Sequence, residues 1–480
     1  MTVTRTSQYD TRELSTFAAL LLAMIAVWAT ATVVGLWSHV GGALVAIGAA
    51  SIAAGVLHRR GVFRSLASEL VVRDAATWAI LVIAASPLVP ARLGPTYAGI
   101  SLDDLPLVFG AMLALWSVVR TEGWRKVVHP ISVPLWLFAL WNGVAAVLAG
   151  HVDLGELTRG VGRWGLVALA FSLLLRIAAR PGMFRLIIGS LVVVGLFEAL
   201  FGLWAYFVDW KVESEIVARL IGLEFWRPYQ PLFKTTPGRI VGTLGVSSNF
   251  FGALMLIPTL ISGGLFAAAK DRWLRVTFAL STTALFFALV LSYTRASQIA
   301  VLAGFAIVLA LAWRPRLAGL VAVVVALAIV LTPAASRFTQ EGNDRRALAE
   351  KAIDTVKKDP VSGLGAGGFV DKQFDPAHPL LIGTPHNSFL LAATETGLPG
   401  GILLVTAVGL PGAIAAWGAI RRRKSDILLV AIVAGLAAYG FQTMSNNLFH
   451  IPSVAVFYWL AASAAVVRAG RPPRTAPESS

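Results

Sequence analysis

Runs of about 20 mostly apolar residues recur from end to end of the chain, and each is long enough to cross a bilayer as a helix. Fourteen such spans can be drawn. The first seven are Phe17–Trp37, Gly41–Leu57, Ala75–Ala91, Leu105–Val119, Ile131–Gly150, Trp164–Ala179 and Phe184–Val208. The second seven are Phe250–Ala269, Val276–Leu291, Ser297–Trp313, Leu317–Ala334, Leu398–Ile420, Ile427–Asn446 and Ile451–Val467. Only 14% of the 480 residues are charged, against about a quarter in a soluble domain. The expected fold is therefore an all-α integral membrane protein, a polytopic bundle of ~12–14 transmembrane helices. The first apolar run follows Arg5 and Arg12 without a small-residue cleavage site, so it reads as a retained helix. The chain has no cysteine, which excludes disulfides and thiolate metal sites.

A net charge of +15 raises the question of nucleic acid, and the placing of the charges answers it. With the N-terminus inside, 24 of the 40 Lys and Arg fall in inner segments, including Arg59-Arg60, Arg125-Lys126 and Arg421-Arg422-Arg423-Lys424. Of the 16 outside, 12 lie in two long loops, where the positive-inside bias is weak. The basic character is topology, and no nucleic-acid partner is expected. Both termini are expected in the cytoplasm.

This gives the domain plan. Residues 1–208 form the N-terminal transmembrane helices, 209–249 a first long external loop, and 250–334 the central helices. Residues 335–397 form a large external loop, 398–467 the C-terminal helices and 468–480 a disordered cytoplasmic tail. In the first loop, Val212, Ile216, Val217, Leu220, Ile221 and Leu223 have the spacing of an amphipathic surface helix. In the second, Asn343 or Asp344 is placed to cap a helix whose Leu348, Ala352 and Val356 share a face. Gly363, Gly365, Gly367 and Gly368 follow, a backbone able to approach a ligand closely.

Few polar outliers face outward, so each can be weighed. Arg239 precedes the eighth span, and Arg295 sits in the tight Ser292-Tyr-Thr-Arg295 turn, beside the positive N-terminal end of the tenth. Guanidinium forks bind phosphate oxygens in pairs, which suits a diphosphate at the membrane surface. The competing reading is an interfacial anchor reaching to lipid headgroups. His386, in Thr384-Pro-His386-Asn387, is a candidate general base; the competing reading is a histidine bonded to the backbone. His151, His378 and His450 also face outward, with weaker claims. Glu198 lies in mid-span, where an ionisable group marks a pathway or a paired site, and Asn142 and Arg176 are candidate partners. Asp359, Asp371, Asp375 and His378 lack a ligand spacing, so no metal site is expected.

The segment His386-Asn387, nine residues, Gly397-Leu398-Pro399-Gly400 resembles the H-[NSQ]-x9-G-x-x-[GTY] motif of bacterial O-antigen ligases and the related Wzy-type polysaccharide polymerases. Asp359-Pro360-Val-Ser-Gly363-Leu-Gly365-Ala-Gly367-Gly368-Phe369 is similar to that family's glycine-rich loop. Gly238-Arg239-Ile-Val-Gly242 with Asn249, and Ser292-Tyr-Thr-Arg295, are similar to its two arginine segments. Together these cover Pro237 to Gly401, about a third of the chain.

The resemblance implies a metal-independent glycosyltransferase of the multi-helix (GT-C-like) membrane class, with no cofactor. It implies an undecaprenyl-diphosphate-linked glycan donor, a lipid or glycan acceptor such as lipid A core, and membrane lipids around both. Arg239 and Arg295 would bind the diphosphate and stabilise the leaving group, and His386 would orient or deprotonate the acceptor hydroxyl. Asn387 and the glycine-rich turn with Gly365 would shape the substrate pocket. The site would face the periplasm. Ligase is the leading expectation and polymerase the alternative. A secondary transporter or flippase, which would use Glu198, is the rival of another class.

Overall fold

The computed structural model describes residues 75–89, 104–150, 154–208, 239–240, 242–243, 247–312, 341–366, 368–371, 384–423 and 425–471. Among these there is no β-strand. The helices are α1 (Ala75–Ala84), α2 (Leu105–Glu122), α3 (Val133–Leu148), α4 (Arg163–Ala178), α5 (Met183–Val208), α6 (Ser248–Ala268), α7 (Arg272–Leu291) and α8 (Arg295–Ala312). They continue with α9 (Glu341–Lys358), α10 (Ser388–Arg422), α11 (Ile427–Thr443) and α12 (Pro452–Gly470). Eight are long and apolar enough to cross a membrane, and α1, α8 and α11 are shorter apolar helices. The chain is an all-α polytopic membrane protein.

Every expected span within the described residues is helical. The spans Phe17–Trp37, Gly41–Leu57 and Leu317–Ala334 lie outside them, as do the amphipathic stretch of the first loop, Val212 to Leu223, and the tail beyond Arg471. Helix α1 is shorter than expected. It ends at Ala84 and gives way to a 3-10 turn over Ser86–Leu88 that holds Pro87, a residue with no N–H to extend an α-helix. Helix α9 spans Glu341–Lys358, so Asn343 and Asp344 lie within its first turn rather than just before it.

At the centre are α6 and α12, whose side chains are buried along almost their whole length. Helix α6 packs on α7 and α11, α11 on α8, and α12 on α10, α4 and α5. Inside a bilayer the lipid is as apolar as a leucine, so close backbone approach rather than water exclusion drives helix association. Small residues permit it here. A Cβ on Gly195 of α5 would fall 2.6 Å from Pro258 of α6, and one on Gly264 of α6 would collide with Ala431 of α11. Outward faces are apolar too: Phe109, Met112 and Trp116 on α2 and Leu137, Leu140 and Val144 on α3 are exposed at helical spacing.

One end of the bundle is rich in cations that tie helix ends together. Arg180 bonds Ser117 Oγ (2.7 Å) and Glu122 (3.3 Å), Arg468 pairs with Asp426 (2.6 Å), and Arg422 donates to the carbonyls of Arg468 (2.8 Å) and Ala469 (2.7 Å). The other end carries the segments of interest. There α9, amphipathic and outside the apolar bundle, docks through Leu348 and Ala352 beside Phe369 and Leu391.

Candidate active site

The two arginine segments are joined directly. Arg239 is half-buried and reaches across to the turn between α7 and α8. Its Nε donates to the Ser292 carbonyl at 2.9 Å, and its Nη2 lies within bonding distance of the Tyr293 carbonyl (3.3 Å) and Thr294 Oγ1 (3.4 Å). The same Nη2 meets Asn249 Oδ1 at 3.2 Å, at the start of α6. The backbone follows, since the Ile240 N–H donates to the Leu291 carbonyl (3.3 Å). Arg295, half-buried, is the first residue of α8. Residues 53 to 55 positions away in sequence thus hold Arg239 immediately before Arg295. The helix start adds the positive end of its dipole to both guanidinium charges.

The histidine motif has a structural explanation. Asn387 caps α10: its Oδ1 accepts from the N–H groups of Phe389 (3.0 Å) and Leu390 (3.1 Å). Helix then runs to a break at Thr396 and Gly397, where Gly397 has φ 71° and ψ 177°, a conformation essentially closed to other residues. The nine-residue spacing is therefore one cap, one short helix and one break. The break frees carbonyls that the glycine-rich loop satisfies. Leu364 N–H donates to Thr394 O (3.0 Å), Gly365 N–H to Glu395 O (2.9 Å), and Trp141 Nε1 to Thr396 O (2.7 Å). Gly363 lies so close that a Cβ would stand 2.5 Å from Thr394 O. The loop was expected to approach a ligand; the close approach that the structure describes is to α10, and Gly365 and Asn387 both serve the frame around His386.

Tyr293 and His386 are the non-glycine residues with positive φ among the described residues, at 51° and 50°. Both lie in motif segments, and backbone strain of this kind gathers at functional sites. Burial, and then the charge of Arg345, push the His386 pKa below its ordinary 6.5. Arg345 reaches that position because α9 lies alongside the first part of α10. It is a nearby cation the sequence reading missed, readable only once Leu348 and Ala352 are seen to dock.

Both sets lie at one end of the bundle. Helix α11 runs antiparallel to α6: the Ile427 carbonyl faces Gly264 and Gly435 faces Ile257, so Thr443 reaches the end where α6 begins. Beyond it, Ser388 Oγ donates to the Asn446 carbonyl (3.3 Å) and accepts from the Phe449 N–H (3.2 Å), and Asn447 bonds Thr384. His450 is half-buried, edge-on against Trp164, and desolvation with the adjacent Arg163 charge lowers its pKa to about 3. Gln442 and Thr443 are fully buried, and neither Gln442 amide end nor Thr443 Oγ1 has a protein partner among the described residues. The polar run Gln442-Thr443-Met-Ser-Asn446-Asn447 at the end of an otherwise apolar stretch was their signal in the sequence.

Glu198 is also placed, and the expected partners are wrong. Asn142 donates to its own helix at Phe138 O (2.7 Å), and Arg176 to Lys126 O (3.2 Å) at the far end. Glu198 instead accepts from Thr243, whose N–H lies 2.9 Å from Oε2 and whose hydroxyl contacts Oε1. His151 and His378, and the acidic residue Asp375, lie outside the described residues.

Fold and site together define a multi-pass, all-α membrane protein with basic and histidine side chains gathered at one end of the bundle. Residues 280–405 match the family model described as O-antigen ligase, so the chain carries a domain of the O-antigen ligase and Wzy-type family. That stretch contains Arg295, Gly365, His386, Asn387 and the Gly397 break. Arg239 lies before it and is tied to it by the hydrogen bonds to residues 292–294. No curated protein matches the chain.

Proposed function

We propose that this protein transfers a glycan from an undecaprenyl-diphosphate carrier to an acceptor hydroxyl at the outer face of the bacterial inner membrane. The observation that carries the reading is the bonding of Arg239 to the turn that leads into Arg295, at the same end of the bundle as a half-buried His386. The family match supports the reaction class. The concentration of cations at the opposite end supports the orientation, since that end is then cytoplasmic.

In the proposed step the acceptor oxygen attacks the anomeric carbon as its bond to the diphosphate breaks. His386 accepts the acceptor's proton, for which its lowered pKa keeps the imidazole neutral at pH 7. The leaving diphosphate keeps the bonding electron pair. Arg239 and Arg295 stabilise the charge that develops on it, fixed in place before reaction starts. No metal takes part, and the acceptor is lipid A core or a similar glycolipid. A polymerase differs only in taking a second lipid-linked repeat as acceptor.

The test is transfer by purified protein in vesicles supplied with lipid-linked glycan and either acceptor, with and without chelator. Arg239→Ala, Arg295→Ala and His386→Ala should each lower turnover by about 10²-fold or more, and chelator should leave the wild-type rate unchanged. Full activity in the three variants would overturn the proposal, and chelator-sensitive transfer would overturn its metal-free chemistry.

A further inference from the structure

Glu198 stands in the middle of α5, fully buried among apolar helices. An ionisable group at that depth is costly and calls for a reason. Its contacts supply one, because both carboxyl oxygens go to a single residue outside the helix. The Thr243 N–H donates to Oε2 (2.9 Å), and the Thr243 hydroxyl contacts Oε1 and the Pro87 carbonyl (3.3 Å). Thr243 lies four positions after Arg239.

The intervening backbone fits closely around that carboxyl. Gly242 has φ 64°, and a Cβ there would collide with Glu198 Oε2 and stand 2.7 Å from the Phe251 ring. Ile240 is buried against Gly202, one turn along α5 from Glu198. Residues 240 and 242–243 are thus non-helical backbone packed among membrane helices. Such backbone is tolerated there only when its polar groups find partners inside the protein. The Ile240 N–H finds the Leu291 carbonyl, and the Thr243 N–H finds Glu198.

The hydrogens can be counted. A threonine hydroxyl has one proton, and here it faces two oxygens, Glu198 Oε1 and Pro87 O. The count closes when Glu198 Oε1 carries a proton and donates it to Thr243 Oγ1, which then donates to Pro87 O.

We infer that Glu198 is a positioning residue: a hydrogen-bonding acid that clamps Thr243 and so holds the segment presenting Arg239 to the Ser292–Arg295 turn. It acts through Thr243 and Arg239 and not on the substrate. Its catalytic consequence rests on the glycan-transfer reading; its structural consequence does not, so two readouts separate them.

Hydrogen exchange at Ile240, Gly242 and Thr243 reports the clamp alone. Exchange should quicken in Glu198→Ala and in Thr243→Val, and stay slow in Glu198→Gln, whose amide donates one bond and accepts one. Transfer should fall by on the order of 10²-fold in Glu198→Ala, as for a small misplacement of a binding group, and be rescued in Glu198→Gln. If Glu198→Ala does not fold, Thr243→Val carries the test. Unchanged exchange in the variants that fold would overturn the clamp. Glu198→Gln behaving like Glu198→Ala would overturn the acid's neutral role. Quickened exchange with transfer unaffected, while Arg239→Ala is inactive, would overturn the link to Arg239. Quickened exchange with Arg239→Ala fully active would leave the clamp standing and overturn its catalytic consequence.

Discussion

His386 carries two burdens at once, a left-handed backbone and a depressed pKa. Protonation removes the neutral imidazole that accepts a proton, so activity should fall as pH falls. The acid limb of kcat/KM should have its midpoint below 6.5 and be level through neutrality. Arg345→Ala removes one of the two causes of the shift and should move that limb to higher pH. A midpoint above 6.5, or a shift to lower pH in the variant, would show that another group controls the limb. Asn387 is different in kind. Its side-chain oxygen is committed to two backbone N–H groups, so Asn387→Ala should cost ~1 kcal/mol of stability and Asn387→Ser much less. Thermal unfolding in detergent measures both. His386 and Arg239 could be picked out in the sequence because charged and titratable groups facing outward are few. Arg345 could not, because one arginine on an exposed amphipathic helix looks like any other.

Helix α10 explains why a nine-residue gap recurs in the motif. The cap at Asn387 and the break at Gly397 fix the ends of a short helix, and the glycine-rich loop bonds to the carbonyls the break exposes. Gly397→Ala should strain the backbone by ~1–3 kcal/mol, and its Cβ would also collide with Val361 O. A lowered unfolding temperature together with reduced transfer is expected, and wild-type stability would contradict this account of the break. The apolar spans were legible because hydropathy over 20 residues is a strong signal. What the glycine loop touches was not, since glycine allows close approach without naming the partner. Nor was the partner of Glu198: Thr243 comes 45 positions later in a non-helical stretch, and no periodicity points to it.

Across the whole molecule, alternating helix direction brings three distant segments to one end, with cation-tied helix ends at the other. The proposed sidedness rests on that asymmetry and is directly testable, because the chain has no cysteine of its own. A cysteine at Val361, exposed beside the glycine loop, should react with a membrane-impermeant maleimide in intact cells. One at Trp273, exposed at the opposite end, should react only after permeabilisation. The most direct test of the central claim compares donor binding with turnover in one preparation. Undecaprenyl-diphosphate-linked glycan should bind wild type and His386→Ala alike, while His386→Ala transfers at least about 10²-fold more slowly and Arg295→Ala loses binding as well. Transfer at the wild-type rate by His386→Ala, or undiminished donor binding by Arg295→Ala, would contradict the account.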